Sequence, residues 1–580
     1  MKRGAQRAGC VDSMPFIPHA PRPPRRACAK TVPTALSRMQ IPDRLRLVSG
    51  LLLLTASAFA ADDATVTRRI QAHTTFLADD LLEGRGTGTR GYALAARYVA
   101  SQFARLGLEP GADGKSYEQP MKFTEATVNL DAGRLVVRHG GQEDALVPVN
   151  DMIASANISE TSASVTAPAV FVGFGVQAPE LGYDDYAGVD LKGKIAVVLY
   201  GAPKKFPSTQ RAHHTNSDQK RMLAVKHGAV GLITVVTPWD EVRFPWAVVV
   251  AQSRFPAMRL LDAAGAVVDS FPQLKAGAWV NRAAAGRVFA ASGHTAEDVF
   301  AKADKGEAQS FDLKAEITLG GAATLRTVES ANVLGWLPGT DPALARQPVV
   351  VTGHLDHLGI GAPVNGDNIY NGAMDNAVGI AVILSAAEEL AAGPRLARPI
   401  LFAALAGEEK GLLGAVHLSR HPPARVERFA ANVNLDMPLF PAATRSVIAW
   451  GAEHTTLGAL TAAAAARDGF IVTPDPMPAE TIFVRSDQYP FVKTGVPALY
   501  LSSGQHSSDP KVDLPALWAQ HLKERYHKPS DDLNQPIDWP SAGAFAGLAT
   551  DILRDVANDP KAPAWLPGDF FGGLFGAQRK

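Results

Sequence analysis

The sequence predicts an α/β protein whose central sheet is mostly parallel and flanked by helices. Three apolar runs, PVVVTG, PILFAALAG and FAANVNLDM, are typical of strands that are buried on both faces. Between the first two runs, NAVGIAVILSAAEELAAG carries apolar residues at helical spacing and ends at Gly393. The alternation of strand and helix indicates right-handed crossovers in an open sheet, and we place this unit at residues 326–560.

A β-rich region with shorter strands precedes this unit. Between residues 124 and 325, runs such as APAVFVGFGV and GKIAVVLYG alternate with turn signals. We therefore predict a small β-rich domain inserted at residues 124–325. Residues 61–123 contain two predicted helices around a glycine-rich loop and belong to the larger unit. Arg85 and Arg90 in that loop are expected to be surface or packing residues.

Two further segments precede residue 61. Residues 39–60 contain two arginines, an apolar run and Ala58-Phe59-Ala60, which are the three parts of a secretory signal peptide. The apolar run is shorter than the roughly 20 residues that span a bilayer, so an uncleaved anchor is the weaker alternative. Residues 1–38, rich in proline and arginine, are either a disordered leader or an over-extended start that precedes the true initiator Met39. We expect an exported protein, periplasmic or extracellular.

The charge and cysteine content narrow the possible functions. Residues 1–60 hold ten of the 57 basic side chains but only two of the 57 acidic ones, so the remainder carries a net charge of −8. This sign disfavours binding to nucleic acid and, once the signal is cleaved, to anionic membranes. Both cysteines, Cys10 and Cys28, precede Met39, so the exported chain has neither a disulfide nor a cysteine-based zinc site. We expect residues 561–580 to be a docking tail or disordered.

Side chains of the types that bind zinc follow the predicted strands. They are His354 in GHLDHLG, Asp375 in NGAMDNAVG, Glu409 in AGEEKGLLG, Asp436 in NLDM and His527 in YHKPSDD. Imidazole nitrogen and carboxylate oxygen suit Zn²⁺, which takes four ligands in tetrahedral geometry. His354, Glu409 and Asp436 follow the C-terminal ends of strands, where open α/β sheets bind their ligands. Asp375 precedes a helix, whose free N–H groups favour an ionised carboxylate.

Local spacing predicts roles for two neighbouring acids. Asp356 lies two residues after His354, so both side chains point the same way on an extended chain. We therefore expect the Asp356 carboxylate to accept the second imidazole N–H of His354. Glu408 and Glu409 are adjacent and point in different directions. One of them can bind metal while the other faces a bound water as a general base.

Taken together, the motifs resemble those of a known family. GHLDHLG, YNGAMDNAVG, GEEKGLLG, NLDM and YHKPSDD are similar to the motifs of secreted dizinc aminopeptidases, the bacterial leucyl-type enzymes whose zinc-peptidase fold also occurs in glutamate carboxypeptidase-like proteins and the transferrin receptor. The segment FVGFGVQAPELGYDDYAGVDLKGKIAVVLYG resembles the protease-associated domain inserted in many secreted peptidases. The likeness covers most of the chain after residue 60. It implies two Zn²⁺ per chain and peptide substrates with a free N-terminus.

The resemblance also implies how the work is divided among the motif residues. Asp375 would bridge both zinc ions, His354 and Asp436 would complete one, and His527 and Glu409 the other. Glu408 would be the general base for a hydroxide that bridges the metals. Three carboxylates and one hydroxide would balance the four positive charges of two Zn²⁺.

The last histidine is the least determined of the implied ligands. His506, His521 and His527 all lie in the region where the family has its final histidine. We select His527 because Pro-Ser-Asp follows it at residues 529–531, as in the family. His357, by contrast, is expected to line its loop without binding metal.

Three functions remain open. The first is a secreted zinc aminopeptidase, which the complete set of motif residues favours. The second is a carboxypeptidase or another zinc amidohydrolase on the same fold, such as a single-zinc glutaminyl cyclase. The third is a non-catalytic, receptor-like binding protein, which would be expected to lack one or more ligands. None of the five is missing from this sequence.

Overall fold

A computed structural model of the chain describes residues 64–155, 157–307 and 309–578. The predicted leader at residues 1–38 and the predicted signal peptide at residues 39–60 lie outside the described residues. Of the helices in the described ranges, none has both the length and the apolar composition of a membrane span. The described strands form one large mixed sheet and two small two-stranded sheets.

The strands that precede residue 338 include two that are unusually long. In chain order they are β1 (Glu109–Pro110), β2 (Glu118–His139), β3 (Gln142–Ala145), β4 (Met152–Ala154), β5 (Ser162–Phe171), β6 (Gln177–Ala178), β7 (Tyr183–Asp184), β8 (Ile195–Leu199), β9 (Gly231–Val235), β10 (Ala257–Leu261), β11 (Ala276–Val280) and β12 (Phe311–Leu337). The long strands β2 and β12 pair antiparallel. β5, β8, β9 and β11 are parallel neighbours. This β-rich region corresponds to the one predicted between residues 124 and 325.

The remaining strands complete the large sheet, except for one small hairpin. They are β13 (Val349–His354), β14 (Gly359–Val364), β15 (Asp367–Tyr370), β16 (Ile400–Leu405), β17 (Ala431–Leu435), β18 (Ser446–Trp450), β19 (Ile471–Thr473) and β20 (Ala498–Ser503). β16, β13, β17 and β20 lie side by side and parallel, and we call them the parallel core. β12 and β18 flank this core antiparallel. β13, β16 and β17 are the three predicted apolar runs, so the α/β prediction is confirmed.

The helices are distributed along the whole described chain. They are α1 (64–77), α2 (Arg90–Arg105), α3 (Ser208–Thr215), α4 (Ser217–Lys226), α5 (Pro238–Arg243), α6 (Trp246–Gln252), α7 (Ala285–Phe289), α8 (Ala296–Asp304), α9 (Val378–Ala392), α10 (Leu413–Arg420), α11 (Leu457–Arg467), α12 (Gln488–Lys493), α13 (Leu514–Glu524), α14 (Trp539–Asn558) and α15 (Phe570–Phe575). α1 and α2 are the two helices that the sequence predicts around the glycine-rich loop. α9 is the predicted crossover helix between the first two apolar runs.

The parallel core is covered on both faces because its strands alternate their side chains. Val349 and Val351 of β13 belong to the hydrophobic cluster that includes α9 and α14. Val350 points the other way, into a cluster with residues of α10 and α12. α9 lies between the sheet and α14, which explains why almost its whole surface is apolar. This packing holds the C-terminal ends of the core strands at one rigid edge.

β12 belongs both to the β-rich region and to the edge of the parallel core, because it pairs with β5 and with β16. Ile317 near its start pairs with Ala167 of β5, and Gly335 near its end pairs with Phe402 of β16. The predicted domain boundaries at residues 123/124 and 325/326 fall inside β2 and β12. The two regions therefore share continuous strands and are not separated by loops at these points.

The C-terminal segment packs against the protein. Phe571 is fully buried and Phe575 is nearly so. The ring of Phe571 lies 5.5 Å from that of Phe483 and 6.2 Å from that of Tyr489. The disordered alternative is therefore wrong for the described part of residues 561–580, which packs onto aromatic side chains of the protein itself. Aromatic residues between glycines gave no periodic signal from which this packing could be predicted.

Candidate metal centre

The five predicted ligands meet at the C-terminal edge of the parallel core. His354 is the last residue of β13, and Asp436 directly follows β17. Glu409 lies in the turn after β16, and Asp375 lies in the turn that leads into α9. Because parallel strands end at the same edge of a sheet, residues that are up to 173 positions apart converge there, His527 among them.

One group of donor atoms forms around His354. Its Nε2 lies 3.1 Å from Asp375 Oδ1 and 3.1 Å from Asp436 Oδ1. All three side chains are buried, and their donor atoms are close enough together to hold one metal ion. In a tetrahedral zinc site with bonds of roughly 2.0–2.1 Å, two ligand atoms lie about 3.3 Å apart. The spacing of this group therefore fits a single zinc ion.

A second group forms around the other oxygen of the same aspartate. His527 Nε2 lies 3.3 Å from Asp375 Oδ2 and 3.1 Å from Glu409 Oε2. Asp375 thus presents Oδ1 to the first group and Oδ2 to the second. A carboxylate placed in this way can bridge two metal ions. The structure brings all five predicted ligands together, although His506 and His521 were alternatives to His527 in the sequence.

His357 is closer to this second group than the sequence prediction implied. The residue is fully buried, and its Nδ1 lies 2.7 Å from Glu409 Oε1 and 3.9 Å from Asp375 Oδ2. Among the described residues, neither ring nitrogen of His357 nor Glu409 Oε1 completes a hydrogen bond of normal geometry. His357, Asp375 and Glu409 also satisfy the distance criterion for a metal group. In the sequence, the position of His357 three residues after His354 indicates that it lies near the metal centre.

The backbone around Asp375 is held by a neighbouring acid and by a glycine. The Asp531 carboxylate accepts the backbone N–H groups of Met374 and Asp375 at 3.1 Å and 3.0 Å. Gly372 has a φ of 59°, in the left-handed region that favours glycine. A Cβ at this position would lie 2.2 Å from Asp375 O and 2.6 Å from His357 Cγ. Only glycine therefore fits at residue 372.

A side-chain amide connects two of the ligand loops. Asn376 donates from Nδ2 to Leu435 O at 3.0 Å, and its Oδ1 accepts the N–H of Met437 at 3.2 Å. These two bonds enclose Asp436, the ligand between Leu435 and Met437. The loop that carries Asp375 and the loop that carries Asp436 are therefore fixed to one another.

The orientation of His354 differs from the prediction. Its Nδ1 lies 2.9 Å from the backbone carbonyl oxygen of Asp356, so the imidazole donates to the main chain and not to the Asp356 carboxylate. The carboxylate instead accepts from Thr87 Oγ1 at 2.8 Å and from the N–H of Glu408 at 3.2 Å. The partner of the Asp356 carboxylate could not be predicted from the sequence, because Thr87 lies 269 residues away. The backbone carbonyl of Asp356 therefore orients His354, and the Asp356 carboxylate holds the turn that contains Glu408.

Ser486 and Arg85 support the ligands from two further segments. Ser486 Oγ donates to Asp436 Oδ2 at 2.6 Å. Arg85 is buried and donates to the carbonyl oxygens of Leu355, Asn371 and Gly372 at 2.9, 2.7 and 3.0 Å. One guanidinium thereby joins the segment after His354 to the segment before Asp375. Arg85 is the packing residue that the sequence analysis expected, and Arg90 is exposed.

Neighbouring carboxylates raise the pKa values of the histidines in spite of burial. Burial lowers the pKa of His354, but the Asp436 and Glu408 carboxylates outweigh it and hold this pKa well above its ordinary value. Burial also lowers the pKa of His527, while Glu409 and Asp375 raise it to about 10. Each imidazole shares its proton with carboxylates that lie at metal-ligand spacing. A divalent cation would replace those protons, because metal ligands bind in the deprotonated form.

Glu408 has a different environment from its neighbour. Burial raises its pKa well above the ordinary value, and the Glu409 and Asp436 carboxylates add to this effect, against the opposing charge of His354. Among the described residues, the Glu408 carboxylate makes no hydrogen bond or ion pair. The group is therefore available to exchange a proton with a bound molecule.

A large cavity opens on the Glu409 and His527 side of the centre. Its volume is about 1020 Å³, and its lining includes both of these residues. The β-rich region contributes aromatic side chains such as Trp239 and Trp279 to the same lining. Arg485 of the segment FVRSDQYPF also lines the cavity, so that part of the segment forms a wall of the site. The volume is sufficient for several amino-acid residues.

Part of the chain matches a known family, and its fold is similar to that of solved structures. Residues 332–553 match the model of peptidase family M28, and this range contains all five ligands and Glu408. The fold is similar to that of an aminopeptidase from Aneurinibacillus sp. strain AM-1, with 19% identity, a TM-score of 0.50 and coverage of 86% of this chain and 97% of that one.

Two further solved structures are similar over comparable lengths. A zinc aminopeptidase from Bacillus subtilis shows 19% identity, a TM-score of 0.42 and coverage of 87% of this chain and 98% of that one. A peptidase M28 precursor from Shewanella amazonensis shows 15% identity, a TM-score of 0.44 and coverage of 88% and 99%. Among curated proteins, none matches the sequence.

Proposed function

We propose that this chain is a metallo-exopeptidase of peptidase family M28, whose model residues 332–553 match, and that it is a dizinc aminopeptidase. In this proposal it removes the first residue from peptides with a free N-terminus. The observation that carries the proposal is the position of Asp375, whose two carboxylate oxygens each face a separate histidine–carboxylate pair. A receptor-like protein would not need this shared ligand.

The residues present fit two zinc ions. His354 and Asp436 would hold one, His527 and Glu409 the other, and Asp375 would be shared. When bound, the zinc ions would act as Lewis acids toward the scissile carbonyl and lower the pKa of water from 15.7 toward about 7. The buried orphaned atoms of His357 and Glu409 are consistent with a site that is completed by a cation.

Glu408 would move the proton during hydrolysis. Its carboxylate would take a proton from the attacking water as the oxygen adds to the carbonyl carbon. It would then donate that proton to the leaving nitrogen as the C–N bond breaks. The carboxylate has no competing partner among the described residues, while its backbone N–H is held by Asp356 Oδ1 at 3.2 Å. The base is therefore fixed at its backbone and free at its reactive end.

Export is a further part of the proposal. The arginines, apolar run and Ala-Phe-Ala sequence of residues 39–60 support cleavage after Ala60 and delivery to the periplasm or the medium. The absence of cysteine after residue 28 is compatible with an oxidising compartment, because the mature chain then has no thiol to oxidise.

The proposal is tested with purified protein that begins at Ala61. We expect hydrolysis of aminoacyl substrates with a free amino group and none of the same substrates when that group is blocked. Chelation should abolish turnover, and added Zn²⁺ should restore it with about two equivalents bound per chain by elemental analysis. Hydrolysis of blocked substrates at a similar rate would contradict an aminopeptidase and favour another amidohydrolase on this fold.

A further inference from the structure

Lys410 is a cation beside the metal centre that forms no ion pair among the described residues, although the Glu409, Asp356 and Glu125 carboxylates attract its charge. It directly follows Glu409, and both residues line the large cavity. Among the described residues, Lys410 Nζ makes no hydrogen bond and no ion pair, and it lies 5.6 Å from the centroid of the Phe255 ring. Phe255 belongs to the inserted region and lines the same cavity. The ammonium group is thus held at the wall of the cavity between the two regions.

Most of the other cations of the cavity wall have carboxylate partners, whereas Arg211 donates to the carbonyl oxygen of Pro478 at 3.2 Å. Lys204 pairs with Asp304, and Arg243 forms a two-bond pair with Glu480 at 2.7 and 2.6 Å. In the described chain, seven Lys and Arg side chains line the cavity, against four carboxylates. One of those four is Glu409. The cavity therefore has an excess of positive charge.

Metal binding would increase this excess near Lys410. Glu409 is the carboxylate closest in sequence to Lys410. A metal ion bound to Glu409 would balance its negative charge, which would then no longer balance the charge of Lys410. Arg259 lies beside the same turn, with Nη1 4.0 Å from the position of a Cβ on Gly411. The carboxylate near Arg259 is Asp218 at 3.7 Å, which already pairs with Arg221 at 2.7 Å. Because Arg259 and Arg221 share the single charge of Asp218 and Lys410 forms no ion pair, positive charge exceeds negative charge on this wall.

The position of Lys410 relates this charge to the substrate. Adjacent Cα atoms lie about 3.8 Å apart, so the lysine begins one residue from Glu409, and it lines the same cavity. A peptide whose scissile bond lies at the metal centre would place its second residue within a few ångströms of the centre. The cavity holds about 1020 Å³, which accommodates that residue and its terminal group.

We propose that Lys410 binds a carboxylate on the leaving-group side of the substrate. The carboxylate is either the C-terminal group of a dipeptide or the acidic side chain of the second residue. The enzyme would therefore prefer short peptides with a free C-terminus, or peptides with Asp or Glu in second position. This inference rests on the proposed aminopeptidase function and adds a substrate class to it.

The test compares substrates that differ only in the carboxylate. For the N-terminal residue X that the wild type hydrolyses best, kcat/KM is measured on X-Gly, X-Gly-amide and X-Asp-amide. Two ratios are compared, kcat/KM for X-Gly divided by that for X-Gly-amide, and kcat/KM for X-Asp-amide divided by that for X-Gly-amide. In Lys410→Met, we expect one of these ratios to fall about tenfold or more, mainly through a higher KM. A fall for X-Gly assigns the C-terminal carboxylate, and a fall for X-Asp-amide assigns the side chain. If neither ratio falls, the inference is overturned.

Two further variants separate binding from a general effect of charge or structure. Lys204→Met removes a cavity cation that already has a carboxylate partner, and it should leave both ratios within about twofold of wild type. Lys410→Arg keeps the charge and should retain most of the preference. An equal fall in Lys204→Met would overturn the assignment to Lys410. If the wild type hydrolyses none of these free-amino substrates, the proposed function itself fails, whatever the ratios.

Discussion

The carboxylate of Asp531 accepts the backbone N–H of Asp375 at 3.0 Å, so a residue four positions beyond His527 orients the aspartate that both donor groups share. The same carboxylate accepts the N–H of Met374 at 3.1 Å and the side-chain amide of Gln535 at 2.6 Å. Asp531 is fully buried. The YHKPSDD motif therefore supplies one ligand and also the support for another.

Asp531→Asn should weaken metal binding without removing a ligand. The amide retains one acceptor oxygen, but its NH₂ group would face N–H donors and lose at least one of the three bonds. We expect zinc affinity to fall about 10- to 100-fold, as for other groups that hold a ligand in place. Competition with a chelator of known affinity measures the change. Asp532→Asn, one residue further and partly exposed, is the matched control, and an equal loss in that variant would contradict the assignment.

Glu408→Gln should bind metal normally and lose turnover. The substitution preserves shape but removes the proton acceptor, which typically contributes about 10²- to 10⁴-fold to the rate. We expect kcat to fall within that range while two zinc equivalents per chain remain by elemental analysis. Loss of metal in this variant would make Glu408 a ligand and would leave the base unassigned.

His527→Ala and His357→Ala distinguish the two histidines that face Glu409. His527 Nε2 lies 3.1–3.3 Å from both Glu409 and Asp375, whereas His357 Nδ1 lies 3.9 Å from Asp375. We therefore expect His527→Ala to bind one zinc equivalent and His357→Ala to bind two. The opposite result, by metal analysis of the dialysed proteins, would identify His357 as the ligand.

The metal-free protein should lose stability as the pH rises above neutrality. The pKa of His527 is raised from 6.5 to about 10 in the folded state, so this group stabilises the fold fully below about pH 6.5 and loses that contribution as the pH approaches 10. The pKa of Asp375 lies well below its ordinary value, and its contribution is lost as the pH falls through the acid range.

The measurement is the melting temperature of chelator-treated protein against pH. We expect a maximum between about pH 4.5 and 6.5 and a decline toward pH 10. His527→Gln should show a smaller decline over the same alkaline range. A melting temperature that rises between pH 7 and 10 in the chelator-treated wild type would contradict the predicted sign.

Arg85→Met should destabilise the protein, while Arg90→Met, at the start of α2, should not. Removing the buried guanidinium leaves the carbonyl oxygens of Leu355, Asn371 and Gly372 without their donor. We expect a loss of at least about 3 kcal/mol in the free energy of unfolding, measured with denaturant. The Arg90 side chain is 76% exposed, so its variant should change by about 0.5 kcal/mol or less. Equal effects would show that the segment containing both residues, and not the buried cation, is sensitive.

Several features of the fold and site could be predicted from the sequence because they depend on local pattern. Continuous apolar runs, unlike the alternating pattern of half-buried strands, predicted β13, β16 and β17. Apolar residues at helical spacing predicted α9. Strand ends carry the ligands of an open sheet, which predicted where His354, Glu409 and Asp436 would lie.

Other features depend on contacts between distant segments and were not predictable in this way. Thr87 holds Asp356 across 269 residues, and the burial of Phe571 depends on neighbours that no periodicity relates to it. The contact between the His357 ring and Glu409 likewise depends on the turn after β13. Local sequence spacing does not determine the geometry of that turn.

By itself, the sequence determined the class of fold and the chemistry of the donor atoms, because backbone periodicity and side-chain type are local properties. Only the tertiary structure decided that Asp375 faces two histidines with different oxygens and that Lys410 lines the cavity without an ion pair among the described residues. Both depend on distances between segments that meet only when the strands close into one sheet, and those distances are set by packing of the whole core.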